Sequence, residues 1–189
     1  ISDFKNVRRS GLIALKIRPE DMLEWVRPSG GKDDIVLVTQ LGQAIRFKES
    51  GVRAMGRTAA GVRGIKIKSE DDVIGMGVVS PLLVKKKVME LLVVSENGLG
   101  KRTKISEYKV QGRGGSGIKT MNVTDKTGRI MSARVVNNTE PNDLLIISKN
   151  GQVVRISMKT VSTLGRATQG VRIMRFKKSG DIVAGITVL

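Results

Sequence analysis

The chain has 189 residues with no cysteine and no histidine, and its 34 Lys+Arg against 17 Asp+Glu give a formal net charge of +17. Disulfides, thiolate metal sites and nucleophile or base arrangements built on histidine or cysteine are therefore excluded. A two-to-one excess of cations calls for a polyanionic partner, while 40% hydrophobic residues suffice for the packed core of one repeat domain. Three Phe, one Tyr and one Trp are too few for a base-stacking platform, so duplex nucleic acid held by its phosphates is favoured over single strands. No apolar run approaches about 18 residues and no signal peptide precedes the domain, so a cytoplasmic protein with no membrane contact is expected.

From the N-terminus, residues 1–28 read as the back half of a structural unit, with strands expected at 12–17 and 22–26. Trp25 there is either a core filler or a contact at an open edge. Three full units follow, at 34–82, 88–137 and 142–189, and they repeat one another. Gly42, Gly98 and Gly151, 56 and 53 residues apart, each start the same pattern. Arginine follows four residues on (Arg46, Arg102, Arg155) and fifteen on (Arg57, Arg113, Arg166). Glycine comes nineteen on (Gly61, Gly117, Gly170), and a cation twenty-one on (Arg63, Lys119, Arg172). This period points to a blade-like β array.

Within each unit a short apolar run behind an acidic residue (35–38 after Asp34, 91–94 after Glu90, 144–147 after Asp143) predicts a strand buried on both faces. Asn97-Gly98 and Asn150-Gly151 are read as supplying the positive φ angles of tight hairpin turns, with Leu41-Gly42 a weaker version. Return strands are expected at 44–47, 100–103 and 153–156. A polar connector then ends in a glycine-rich loop: 56–61, 112–117, 165–170. Alternating basic and apolar residues at 62–67 and 171–176 predict a third strand with its cations on one face. Fourth strands are expected at 73–79, 130–136 and 182–188, and four strands per unit is the count of a propeller blade. Residues 81–87, with three consecutive lysines, read as an exposed link between blades.

Two other patterns point elsewhere and are set aside. Residues 112–117 have the GxxxxG spacing of a phosphate-binding loop, but Ile118 stands in the lysine position and strand alternation follows where a helix is required. The acidic clusters Asp33-Asp34 and Glu70-Asp71-Asp72 read as solvated turns rather than a metal site.

The residues 46–57 (RFKESGVRAMGR), continuing into Gly61-Val62-Arg63-Gly64-Ile65, together with 97–103 (NGLGKRT) and Glu107-Tyr108, resemble the C-terminal β-pinwheel of the DNA gyrase A subunit, with its topoisomerase IV counterpart. The resemblance extends over essentially the whole chain. It implies an all-β, propeller-like array of about three and a half four-stranded blades, with strands exchanged between neighbours and duplex DNA bent around a basic outer rim. The signature of that family is a glutamine, two arginines, two glycines, a basic residue and a glycine. Residues 111–117 match it in part, with Gly112 and Ser116 where basic residues are usual.

The resemblance implies a module of an ATP-hydrolysing type II topoisomerase that has no catalytic residue of its own. DNA is cleaved by a tyrosine in a separate domain, so Tyr108 is not that residue. ATP and Mg belong to other domains or subunits, and this chain is expected to carry no cofactor. The implied partners are duplex DNA, the gyrase A catalytic core and the ATPase B subunit, in an A2B2 heterotetramer. The expected DNA-binding set is Arg46, Arg53, Arg57, Arg63, Lys101, Arg102, Gln111, Arg113, Lys119, Arg155, Arg166 and Arg172. Arginine forks match phosphate oxygens and glycine permits close approach of backbone amides, so contacts should be largely independent of sequence. About eight neutralised phosphates imply a log–log salt slope near −7. A topoisomerase IV domain that selects substrate topology, a β module that binds structured RNA, and a propeller that docks an acidic protein stay open as alternatives.

Overall fold

The computed structural model describes residues 4–189. Strands β1 (Asp34–Thr39) and β2 (Gln43–Lys48) form the first hairpin, and β3 (Val73–Val79) adds to the other side of β1. The short helix α1 (Pro81–Lys85) lies in the expected link and leads to the second hairpin, β4 (Met89–Ser95) and β5 (Leu99–Lys104). After β6 (Val110–Gln111) and β7 (Ile118–Lys119), β8 (Ile130–Asn137) returns to pair with β4. The third hairpin is β9 (Asp143–Ser148) and β10 (Val153–Ser157); β11 (Val171–Arg172) follows, and β12 (Val183–Val188) pairs with β9. A single 3₁₀ turn closes each hairpin, at Glu49–Gly51, Ile105–Glu107 and Met158–Thr160.

The sheets stack face to face, and this explains why the apolar runs are continuous rather than alternating. On β4, Leu91 and Val93 enter one core with Val36, Val38, Ala44 and Val79 of the first unit. Leu92 and Val94 point the other way, into a second core with Leu144, Ile146 and Val183 of the third unit. The first hairpin is also covered on its other side, where Ile45, Phe47 and Ile65 cluster, whereas the third unit's outer side is open. Ile147 on β9 is 40% exposed, whereas Leu92 at 0% has a sheet over it.

The third strands of the second and third units do not pair with their own hairpins. Strand β6 runs parallel to β2 (Arg46 opposite Val110), and β7 runs antiparallel to it (Gln43 opposite Lys119). Strand β11 pairs in the same way with β5 of the second unit. The crossing requires glycine. Gly117 has φ +72°, and a Cβ there would meet the Ala44 carbonyl oxygen at 2.6 Å; Gly170, at φ +79°, would meet that of Gly100 at 2.8 Å. Only glycine combines a left-handed backbone with such an approach.

Strand exchange corrects several expectations. Residues 62–67 form no strand, because among the described residues no hairpin lies on the side where β7 and β11 find theirs. Residues 12–17 and 22–26 likewise form none; Lys16 only donates its backbone N–H to Ala59. The exchanged strands are two residues long rather than six. The sheets consequently hold five, four and three strands rather than four each. In the hairpin turns only the glycines have positive φ (Gly42 +87°, Gly98 +73°, Gly151 +80°), so Asn97 and Asn150 play no part in that respect. Gly98 N–H bonds Ser95 O and Gly151 N–H bonds Ser148 O, so the loops have three residues ending in a left-handed glycine, the next commonest hairpin solution. Trp25 is half-buried, in a groove it lines with Met22, Ile67, Ile74 and Met131.

Candidate nucleic-acid interface

Of the cations four residues after each turn glycine, Arg46 and Arg102 face inward. Arg46 is 7% exposed and holds Asp34 with two N–H donors at 2.9 and 2.6 Å across the hairpin. Its Nη1 also reaches the next unit, donating to the Ile105 and Tyr108 carbonyls at 3.3 and 3.2 Å. Arg102 repeats the arrangement one unit later, with Glu90 at 2.8 Å and the Val161 carbonyl at 2.9 Å. Arg46 and Arg102 are therefore latches between units and are withdrawn from the DNA-binding set. Arg46 commits four N–H donors to these partners, and both guanidinium groups, with side chains 9% and 12% exposed, are held on a carboxylate and a neighbour's carbonyl rather than presented to solvent. Arg155 makes the same pair with Asp143 at 2.8 Å, but in the open: the side chains are 65% and 31% exposed. The sequence did contain a signal for the latch, a constant separation of 12 residues between acid and arginine in all three units. The acidic turns are corrected too, since Asp34 is in the latch and Asp71, 5% exposed, accepts the Leu41 N–H.

Lys101 is the third correction. It is completely buried, and its Nζ donates to the Gly165 carbonyl (2.6 Å), the Arg166 carbonyl (2.6 Å) and Thr168 Oγ1 (3.0 Å). Burial pulls its pKa down to about 8, against the neighbouring Glu107, which raises it; the Arg166 charge lowers it further.

The arginines of the glycine-rich loops behave differently. Arg113 is exposed and donates Nη1 to the Arg63 carbonyl at 2.6 Å, with a longer contact from Nε to Gly51 O. Half-exposed Arg166 donates to the Lys119 carbonyl at 3.0 Å, and half-exposed Arg57 to the Ile13 carbonyl at 3.1 Å. In each case the loop arginine of one unit grips the backbone of the preceding unit. For Arg113 and Arg166 the gripped residue is itself an exposed cation, so Arg113 is brought beside Arg63 and Arg166 beside Lys119. Exposed positive charge is thereby collected at the junctions between units. Arg53 and Arg172 are also exposed, and Lys119 Nζ donates to Asn122 Oδ1 at 3.1 Å. Gln111 pairs through its backbone with Phe47 on β2, and its side-chain nitrogen is buried without a hydrogen-bond partner.

No pair of these groups is arranged for nucleophilic chemistry. Tyr108 is 1% exposed, its hydroxyl is 2.6 Å from Thr120 Oγ1, and burial pushes its pKa up to about 12. The 112–117 loop runs into strand β7 rather than a helix, so it offers no helix N-terminus for a nucleotide. Among the described residues no helix is long and apolar enough to cross a membrane.

Stacked β sheets tied by exchanged strands, with basic loops at each tie, place the chain in the class of propeller-like β-repeat domains. A family model described as "DNA gyrase C-terminal domain, beta-propeller" matches residues 1–29, 33–80, 90–137 and 142–189. The chain belongs to that family. It is 41% identical over 175 residues to the DNA gyrase A subunit of Staphylococcus aureus (strain MRSA252), covering 93% of this chain and 19% of the relative. The chain thus spans about a fifth of the length of the curated relatives it matches. A solved DNA gyrase A C-terminal domain superposes with TM-score 0.81 at 26% identity, covering 99% of this chain and 59% of the other. A C-terminal domain of DNA topoisomerase IV superposes with TM-score 0.86 at 21% identity, covering 98% and 56%, which speaks for the fold alone.

Proposed function

We propose that the chain is the DNA-binding and DNA-wrapping module of a type IIA topoisomerase, the A subunit of a gyrase. In this reading it bends duplex DNA along its junction loops and so supports negative supercoiling. Within an A2B2 assembly, ATP hydrolysis is left to the B subunit, whereas strand cleavage falls to other domains of the A subunit. The observation that carries the reading is the pairing of exposed cations at successive junctions, Arg113 with Arg63 and Arg166 with Lys119. A duplex presents phosphates at regular intervals, and a repeating set of guanidinium groups matches that regularity without reading bases.

The working set after the corrections is Arg53, Arg57, Arg63, Arg113, Lys119, Arg166 and Arg172, with Arg155 on the open latch and Gln111 as a loop-positioning residue. Seven phosphate contacts give a log–log salt slope of about −6, enough for counterion release to offset a bending cost on the order of 1–6 kcal/mol. Binding to a short duplex across a salt series, with bending followed by energy transfer between end labels, tests this. A slope shallower than about −3, or a preference for structured RNA in competition, overturns it. Ligation of a relaxed circle in the presence of the protein separates the finer readings. A shift in linking number supports wrapping of the gyrase kind, and binding without a shift supports the topoisomerase IV role of selecting substrate topology.

A further inference from the structure

The two loops that carry the junction arginines are supported differently. Beneath the 112–117 loop of the second unit lies Ile45, whose Cδ1 would be 3.6 Å from a Cβ on Gly115. Beneath the 165–170 loop of the third unit, the equivalent residue on β5 is Lys101. Position for position in the third hairpin the residue is Val154. An ammonium thus occurs at one of three equivalent positions, fully buried, where the others are apolar. Burying it costs desolvation, offset here only because three oxygens of one turn receive its three protons.

We propose that Lys101 is a positioning residue for DNA: by holding the turn from Gly165 to Thr168, it fixes the backbone of Arg166 where that side chain meets phosphate at the second junction. The inference rests on the DNA-binding reading above. Arg166 is tied at both ends, its carbonyl to Lys101 and its guanidinium to Lys119 O. Arg113, by contrast, has no side-chain donor beneath its turn among the described residues: its guanidinium donates to Arg63 O and Gly51 O, and the neighbouring Gly114 N–H donates to Gly64 O. Losing a proton leaves Lys101 with two N–H donors for three acceptors and removes its charge, so its hold on the turn weakens, although Gly165 O keeps the Thr168 hydroxyl. The groups facing the ammonium are Glu107, on the 3₁₀ turn after β5, and Arg166 itself. With a pKa of about 8, Lys101 sheds its proton in a range where exposed lysines, near 10.4, stay charged. Grip at the second junction should therefore weaken as pH rises from 7 to 9.

The test is binding of the chain to a short duplex DNA in 0.1 M salt at pH 7 and pH 9, for the native sequence, Lys101→Met and Arg166→Ala. The native chain should lose about tenfold in affinity at the higher pH, the worth of roughly one phosphate contact at this salt. Lys101→Met should bind at pH 7 as weakly as the native chain does at pH 9, and Arg166→Ala should lose the pH step altogether. A purely structural lysine would change thermal stability on substitution but leave no pH step that depends on Arg166. If the native chain binds duplex DNA equally at both pH values, the inference about Lys101 fails while the DNA-binding reading stands. Failure to bind at either pH removes that reading itself. Should Lys101→Met not fold, the native and Arg166→Ala pH series decide the matter alone.

Discussion

The second and third units have nearly the same hairpin, yet their latch arginines live in different surroundings. Arg102, facing Glu90, has its side chain 12% exposed and lies under the third unit's Val161 carbonyl. Arg155, facing Asp143, is 65% exposed, and Val153 beside it on β10 is 56% exposed. The residue type and the 12-residue separation are identical, so the hairpin creates the ion pair and the following unit buries it. A position in the repeat therefore has no fixed energetic meaning: it is structural where a neighbour packs on it and a surface pair where none does.

Substitution at the latch should break this comparison most strongly. Arg46→Ala leaves Asp34 buried without its partner and should cost about 3–5 kcal/mol in chemical denaturation. Arg155→Ala should cost under about 1 kcal/mol by the same measurement. Equal losses would mean that burial by the next unit contributes nothing. Next in size, Gly117→Ala faces both a left-handed backbone and the Ala44 carbonyl, and should cost more than the roughly 1–2 kcal/mol of backbone strain alone. Gly61→Ala, with nothing within 4 Å of the added carbon, should cost that strain and no more.

A smaller effect distinguishes the two closed junctions. The Arg46 latch leans on Tyr108, whereas the Arg102 latch leans on Val161 at the equivalent position. Tyr108 has its pKa raised to about 12 from 10.0, so its contribution is fully present below pH 10 and is lost as pH climbs towards 12. Tyr108→Phe should remove that alkaline loss from a denaturation-versus-pH series, at a constant cost of about 1 kcal/mol for the hydrogen bond to Thr120. Smallest in stability and largest in function, Arg113→Ala should change folding by no more than about 0.5 kcal/mol while lowering the DNA salt slope by about 1. An unchanged slope would take Arg113 off the proposed interface.

Legibility followed the range of the forces involved. Hairpins were visible because apolar runs, turn glycines and return strands are neighbours in the chain, and β1–β2, β4–β5 and β9–β10 form where the pattern places them. The identity of each hairpin's further strands was not visible. Phe47 opposite Gln111 and Leu99 opposite Arg172 are pairings between units, and alternation along 62–67 predicts a strand without saying whether a partner exists to receive it. In the candidate interface, glycine–arginine coupling marked the loops of Arg57, Arg113 and Arg166, none of them buried. The same charge count misassigned Arg46, Lys101 and Arg102, because a cation has the same letter whether its partner is a phosphate or a buried carbonyl.

What the sequence alone determined, then, is the repeat, its β character, its excess of positive charge and the two classes of arginine that recur in it. Tertiary structure decided which of those arginines meet solvent. That choice depends on desolvation and on donors found across unit boundaries, and both exist only once one sheet has stacked on the next.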